Sequence, residues 1–208
     1  MQLESIAARP TGVRFFAILA AGLAVACSCA SGEPKESESK QSVATLFHSL
    51  PLRFEQDPRG YWIAGGIGYA FGFTPTSVNL RVPDGRVRLT FEGAGRTKGG
   101  EWEASEKMLA PTSYFKGKTF RSAEAFSRLR RTHLYPGIDV VYYGTGGRLE
   151  YDFDLAPGAD PSRIRMRFEG AQEVHLNESG GVVLKTPSGD IVQQLPVVYQ
   201  KRSSGETV

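Results

Sequence analysis

Tyr135-Pro136-Gly137-Ile138-Asp139-Val140-Val141-Tyr142-Tyr143-Gly144-Thr145-Gly146-Gly147-Arg148-Leu149-Glu150-Tyr151 decides how this chain is read. A Pro-Gly turn leads into the β-branched and aromatic run Ile138 to Tyr143. Gly144-Thr145-Gly146-Gly147 then supplies the positive φ angles that a tight reversal needs. The returning segment, Arg148 to Leu155, alternates strictly. Leu149, Tyr151, Phe153 and Leu155 fall on one face, and Glu150, Asp152 and Asp154 on the other. The first set is expected in a core and the second in water.

The same pattern extends outward in both directions. Ala156-Pro157-Gly158-Ala159-Asp160-Pro161 reads as a rigid corner, and Ile164, Met166 and Phe168 then alternate with Arg163, Arg165 and Arg167. Val174-His175-Leu176, Gly181 to Leu184 and Val197-Val198-Tyr199 complete a meander. Upstream, Tyr61 to Ala64 and Tyr69 to Phe73 are aromatic runs, and the glycines between them give clearance for packed rings. Val78 to Val82, the turn Pro83-Asp84-Gly85 and Arg86 to Phe91 form a hairpin. Ser122 to Arg131 has helical composition and is the one expected helix. Many short strands with regular turns predict an all-β fold, an antiparallel β-sandwich-like domain. No repeat of fixed period is present, so this chain alone is not a propeller.

The N-terminus differs in character. Arg9 and Arg14 precede the uncharged apolar run Phe15 to Ala26, and polarity rises from Ser28. A spanning helix needs about 20 apolar residues, so the run reads as a secretory signal. Leu23-Ala24-Val25-Ala26-Cys27 resembles a lipobox, which makes Cys27 the expected lipidation site. Ordinary cleavage after Ala30 is the competing reading. Cys27 and Cys29 are the only cysteines, so a mature domain would carry no disulfide. The expected organisation is a signal segment at 1–30, a Glu-, Lys- and Ser-rich tether at 31–45, and a single all-β domain at 46–208. Exported location follows: periplasm, outer membrane or cell surface, with the membrane as partner through the lipid.

No cofactor, catalytic residue or metal site is assigned. Glu150, Asp152 and Asp154, with Asp139 and Asp160 nearby, are the sharpest calcium candidates. Residues two apart on a strand lie roughly 6–7 Å apart, too far for three to grip one ion unaided. A solvated face, paired with Arg163, Arg165 and Arg167 across the sheet, competes with that reading. Glu150 and Asp154 could also meet glycosidase spacing, as many pairs would. His48, His133 and His175 are scattered. Tyr61, Trp62, Tyr69, Phe71 and Phe73 could stack on sugar but read better as core. Arg128-Leu129-Arg130-Arg131 is expected to be a solvated face. It lacks the interleaved aromatics of a nucleic-acid platform, and no nucleic-acid partner is expected.

Leu134 to Gly144, Arg148 to Phe153, Ala156 to Pro161, Arg167 to Ala171 and Gln194 to Gln200 together resemble the N-terminal domain of bacterial SBBP-repeat (β-propeller-repeat) surface proteins. Leu50 to Glu55, Gly68-Tyr69, Thr74 to Thr76 and Ser113 to Gly117 extend the resemblance over most of the chain. It implies a domain of unknown function with no catalytic residues to transfer, and propeller repeats or other surface proteins as partners. Two departures stand out. Gln56 to Gly60 is shorter than the family's usual segment, and the chain ends where the family continues into further β structure. A truncated or stand-alone copy is the expectation. The functional expectation is a non-enzymatic, exported structural or adhesion-type module. The alternative is a carbohydrate-binding or carbohydrate-active domain, with glycoside hydrolysis as its enzymatic form.

Overall fold

The opening stretch folds as its alternation requires, and the strands around it assemble on the same logic. The computed structural model describes residues 13–20, 51–66, 68–95, 99–145 and 148–200. Strand β1 is Val13–Ala20, followed by β2 (Glu55–Gln56), β3 (Trp62–Gly66), β4 (Tyr69–Thr74), β5 (Ser77–Val82) and β6 (Gly85–Phe91). Then come β7 (Trp102–Lys107), the hairpin of β8 (Thr112–Lys116) and β9 (Thr119–Ala123), and the long β10 (Phe126–Tyr135). β11 (Ile138–Thr145) and β12 (Arg148–Leu155) are the two arms of the signature stretch. A 3-10 turn, Pro161–Arg163, precedes β13 (Met166–Glu169). The described chain closes with β14 (Glu173–Leu176), β15 (Val182–Thr186), β16 (Gly189–Gln193) and β17 (Val197–Gln200).

These strands form two large antiparallel sheets and one separate hairpin. The larger sheet runs β14-β15-β16-β1-β12-β11-β10-β7, with β17 also paired to β1. The smaller runs β13-β6-β5-β4-β3-β2, and β8-β9 stands apart. The two large sheets share one hydrophobic core. Leu149, Tyr151, Phe153 and Leu155 are all buried in it, as the alternation predicts. Aromatic rings interdigitate across the layers. Phe73 of β4 lies 4.9 Å from Tyr142 of β11, and Phe91 of β6 lies 5.8 Å from Phe153 of β12. Such pairs add about 0.5–1.5 kcal/mol each beyond the area they bury. Tyr135 adds a polar strut, because its hydroxyl reaches the carbonyls of Glu92 (3.1 Å) and Arg165 (3.4 Å), both in the other layer's connections.

Four expectations change. Ser122 to Arg131 is not a helix: β9 ends at Ala123 and β10 begins at Phe126. β10 pairs with β7 on one side and β11 on the other, so two ladders override local helical composition. Arg131 is not on a solvated face. It shares the inward side of β10 with Leu129, is buried, and holds its guanidinium 5.7 Å from the Trp102 ring. Asp152 does not face water either, being only 5% exposed. The arginines of 163–167 lie beside the other sheet, so they do not pair with the acids of β12. The hairpin expectations hold: Val82 pairs with Gly85, and Thr145 with Arg148. Residues 146–147 lie outside the described residues. So do Ile67, His48, both cysteines and the tether.

Val13–Ala20 falls within the segment read as an export signal. As β1 it pairs with β12 over seven positions, from Val13 opposite Leu155 to Leu19 opposite Leu149. Its other edge meets β17 through Val13 to Phe16 and β16 through Leu19 and Ala20.

Gly144 is where the hairpin cannot accept a side chain. Its φ is +150°, and a Cβ there would lie 1.9 Å from the Arg148 carbonyl oxygen. Gly72 has no positive φ and nothing within 4 Å of its would-be Cβ. Gly144→Ala is therefore expected to cost about 2–3 kcal/mol in urea unfolding, and Gly72→Ala less than about 0.5 kcal/mol. Equal losses in the two variants would contradict the close approach.

Candidate functional site

Asp139, Glu150, Asp152 and Asp154 share one face of the larger sheet, and Asp139, Asp152 and Asp154 are held by neighbouring side chains. Asp139 of β11 sits directly opposite Asp154 of β12. Two carboxylates so placed repel unless a cation intervenes. Arg130 of β10 supplies it, at 2.6 Å from Asp139 and 3.4 Å from Asp154. Asp152 accepts the Tyr143 hydroxyl at 2.8 Å. Burial, reinforced by the Asp152 carboxylate, pushes the Tyr143 phenol well above its ordinary value. Arg128 lies over the Tyr143 ring at 5.0 Å and pairs with Glu106 at 2.7 Å. The row Glu106, Arg128, Tyr143, Asp152 is thus a chain of alternating partners. Among the described residues, no group of three or more histidine, cysteine or acidic side chains is placed to hold a metal ion.

Asp139 has a second task that the sequence did not reveal. The register of β10 against β11 shifts between Arg131 and Tyr135, and within that bulge His133 adopts a φ of +52°. The His133 N–H donates to Asp139 Oδ1 at 2.7 Å. One carboxylate therefore fixes a strained backbone position with one oxygen and an arginine with the other. The signal was in Gly-Ile-Asp following the turn, but the bulge it serves lies six residues upstream. His175, by contrast, sits on β14 with Nδ1 3.2 Å from Glu173.

The turn Tyr135-Pro136-Gly137 and the corner after β12 border an open cleft of about 830 Å³, lined by Glu92, Tyr135, Asp160, Ser162, Arg163 and Arg165 among others. Its acids have local partners. Asp160 accepts the backbone N–H and hydroxyl of Ser162 at 3.0 and 2.7 Å, and Glu92 lies 3.4 Å from Arg167. Ser162 draws the Asp160 carboxyl below its usual range. Neither Glu150 nor Asp154 lines this cleft.

Most of the aromatics first weighed as a sugar platform are core. Trp62, Phe71 and Phe73 are buried, Tyr69 is half-buried, and only Tyr61 is exposed. Gly66 gives the expected clearance, since a Cβ there would lie 2.8 Å from the Tyr69 hydroxyl. The exposed aromatics are elsewhere, on β8-β9. Phe115 is 76% and Phe120 59% exposed, opposite one another in register, with ring centroids 5.1 Å apart. They flank the turn Lys116-Gly117-Lys118. The base of the hairpin is bound to the body by polar contacts. Tyr114 donates to the buried Glu55, Arg121 donates to the Gln56 carbonyl, and Arg53 donates to the Ala110 carbonyl and to Thr112. Burial and the adjoining Glu55 push the Tyr114 phenol up to about 12. Sequence reasoning touched Ser113 to Gly117 only as part of a resemblance. The aromatic pair straddling Lys-Gly-Lys was its readable signal.

Fold and surface define an antiparallel, sandwich-like all-β module that presents a firmly based aromatic hairpin. A family model described as a domain of unknown function, DUF7948, matches residues 33–208, and the chain belongs to that family. No curated protein and no solved structure matches it.

Replacing Asp139 by alanine removes both the His133 and Arg130 partners. The expected loss is about 2–3 kcal/mol in denaturant unfolding, the usual range for hydrogen bonds to a charged group. Asp139→Asn, which keeps an acceptor for His133, should lose less than half of that. An alanine variant as stable as the parent would show that the bulge does not depend on this side chain.

Proposed function

We propose that this chain is an exported, non-catalytic module of the bacterial cell envelope with a structural or adhesion-type role, docking through the β8-β9 hairpin. The observation that carries this reading is the contacting pair Phe115 and Phe120, exposed on a hairpin whose base is tied down by Tyr114, Arg121 and Arg53. Large exposed apolar groups in contact with one another mark interaction sites more often than single scattered ones do. Anchoring the base removes conformational entropy before a partner arrives, which favours binding. The apolar run Phe15 to Ala26 and the lipobox-like Leu23 to Cys27 support export with lipid attachment at Cys27. The resemblance to the N-terminal domain of SBBP-repeat surface proteins supports the same location.

Two measurements test the two halves of the proposal. Expressed with its own leader in a bacterial host, the chain should yield a mature N-terminus at a lipid-modified Cys27 by mass spectrometry. An unprocessed chain retained in the cytoplasm would remove the export reading. Retention of the chain on isolated cell envelopes should fall roughly 30-fold in Phe115→Ala/Phe120→Ala, equivalent to about 2 kcal/mol for a pair of aromatic anchors. Its melting midpoint should stay unchanged, because neither ring is buried. Binding to a glycan array that disappears in the same double variant would instead favour the carbohydrate-binding alternative.

A further inference from the structure

The backbone of the larger sheet is continuous only through β1. Without Val13–Ala20, β12 retains β11 as its strand neighbour and β16 retains β15, β17 keeps no strand partner among the described residues, and nothing else described joins the two halves of the ladder. Yet β1 lies outside the residues matched by the family, which begin at 33. The strand that completes the domain's main sheet is therefore drawn from outside the domain. We infer that the slot along the edge of β12 that β1 fills is a strand-acceptor site, which takes an extended apolar peptide antiparallel to β12 from a second exported polypeptide once β1 has been removed. The vacating of the slot rests on the export reading. The binding capacity of the slot does not.

The chemistry of the slot specifies its ligand. Strand addition is driven by main-chain hydrogen bonds along an open edge and made selective by alternate side chains. On the β12 side, Leu149, Tyr151, Phe153 and Leu155 all belong to the buried core. Ligand residues opposite them share that face and must be apolar. In β1 those register positions are Leu19, Ala17, Phe15 and Val13. Of the intervening positions, β1 sets Arg14 against Asp154 but Phe16 and Ile18 against Asp152 and Glu150, so a basic residue is favoured only opposite Asp154. The two sides of the slot also share one hydrophobic core, since Leu184 of β15 and Ile191 of β16 belong to the same cluster as Tyr151 and Phe153 of β12.

The test uses the full chain with a specific protease sequence placed at residues 36–40 and cut after folding. The severed N-terminal fragment should co-elute with the body in gel filtration. A fluorescent peptide of residues 12–21 should then exchange with it at one to one, and the melting midpoint should rise with peptide concentration. The same peptide carrying Phe16→Pro should bind at least tenfold more weakly, because Phe16 faces β12 on one edge and β17 on the other and its N–H serves one of them. Three outcomes would overturn the inference: loss of the fragment with no change in melting and no peptide uptake, equal binding of the proline peptide, or aggregation on cutting that excess peptide does not prevent. None of these depends on whether the leader is removed in a cell, which the mass of the exported N-terminus reports separately.

Discussion

Everything in this molecule is arranged around β12, which must satisfy three demands at once. Its inward side chains fill the centre of the core, its outward acids need cations or hydroxyls, and both edges of its backbone need partners. The first demand is met by the aromatic seam with Phe91, at 5.8 Å from Phe153 and 6.4 Å from Tyr151. The second is met by Arg130 and Tyr143. The third is met by β11 on one side and β1 on the other. A buried strand with an unpaired edge leaves a row of orphan N–H and C=O groups, which is both a thermodynamic cost and an invitation to pairing. The identity of whatever lies along that edge is therefore a structural question as much as a functional one.

How much of this was legible in the sequence follows from the range of each interaction. The β11-β12 hairpin, the β5-β6 hairpin and the inward set of β12 are local patterns of period two, and they read correctly. β10 did not, because Ser122 to Arg131 has no strong strand propensity of its own. Its strand state comes from β7 and β11, which lie before and after it in the chain. Arg131 was misplaced for the same reason. A cation on an inward position is tolerated only because Trp102, far upstream in sequence, offers its ring. Asp152 was assigned to water because alternation separates the two faces of a strand but does not say what covers the second. The candidate surface followed the same rule. Phe115 and Phe120 are visible in the sequence, but their exposure depends on β8-β9 standing outside both large sheets.

That separation gives the hairpin its character. An isolated two-stranded ribbon is marginal in water, so β8-β9 must draw order from elsewhere. It does so at its base, where Tyr114, Arg121 and Arg53 engage Glu55, Gln56, Ala110 and Thr112. Phe54, adjacent to Glu55, is fully buried between the layers and bridges to Phe126. The hairpin is thus fastened to the segment that itself plugs the core, while its tip makes no contribution to that core. Apolar area at the tip is left to solvent in the free chain, and removing it from water contributes to binding alone rather than to folding.

The slot along β12 and the aromatic hairpin are two apolar features of opposite kinds, and the difference orders their roles. The hairpin presents side chains on a backbone already paired within itself, so a partner there meets rings and two lysine positions of the turn. The slot presents a backbone edge whose side chains alternate between the core and the outer face, so a partner there must be extended and must surrender its own solvation along its whole length. Strand addition of that kind buries main-chain groups that cannot be left half-satisfied, and it discriminates strongly against proline or a slipped register. For a strand with the sequence of β1, a slip of one residue would move Arg14 from opposite Asp154 to opposite Phe153 or Leu155, on the buried face. The strict alternation of β12, which first identified the fold, is therefore also what would make its open edge selective.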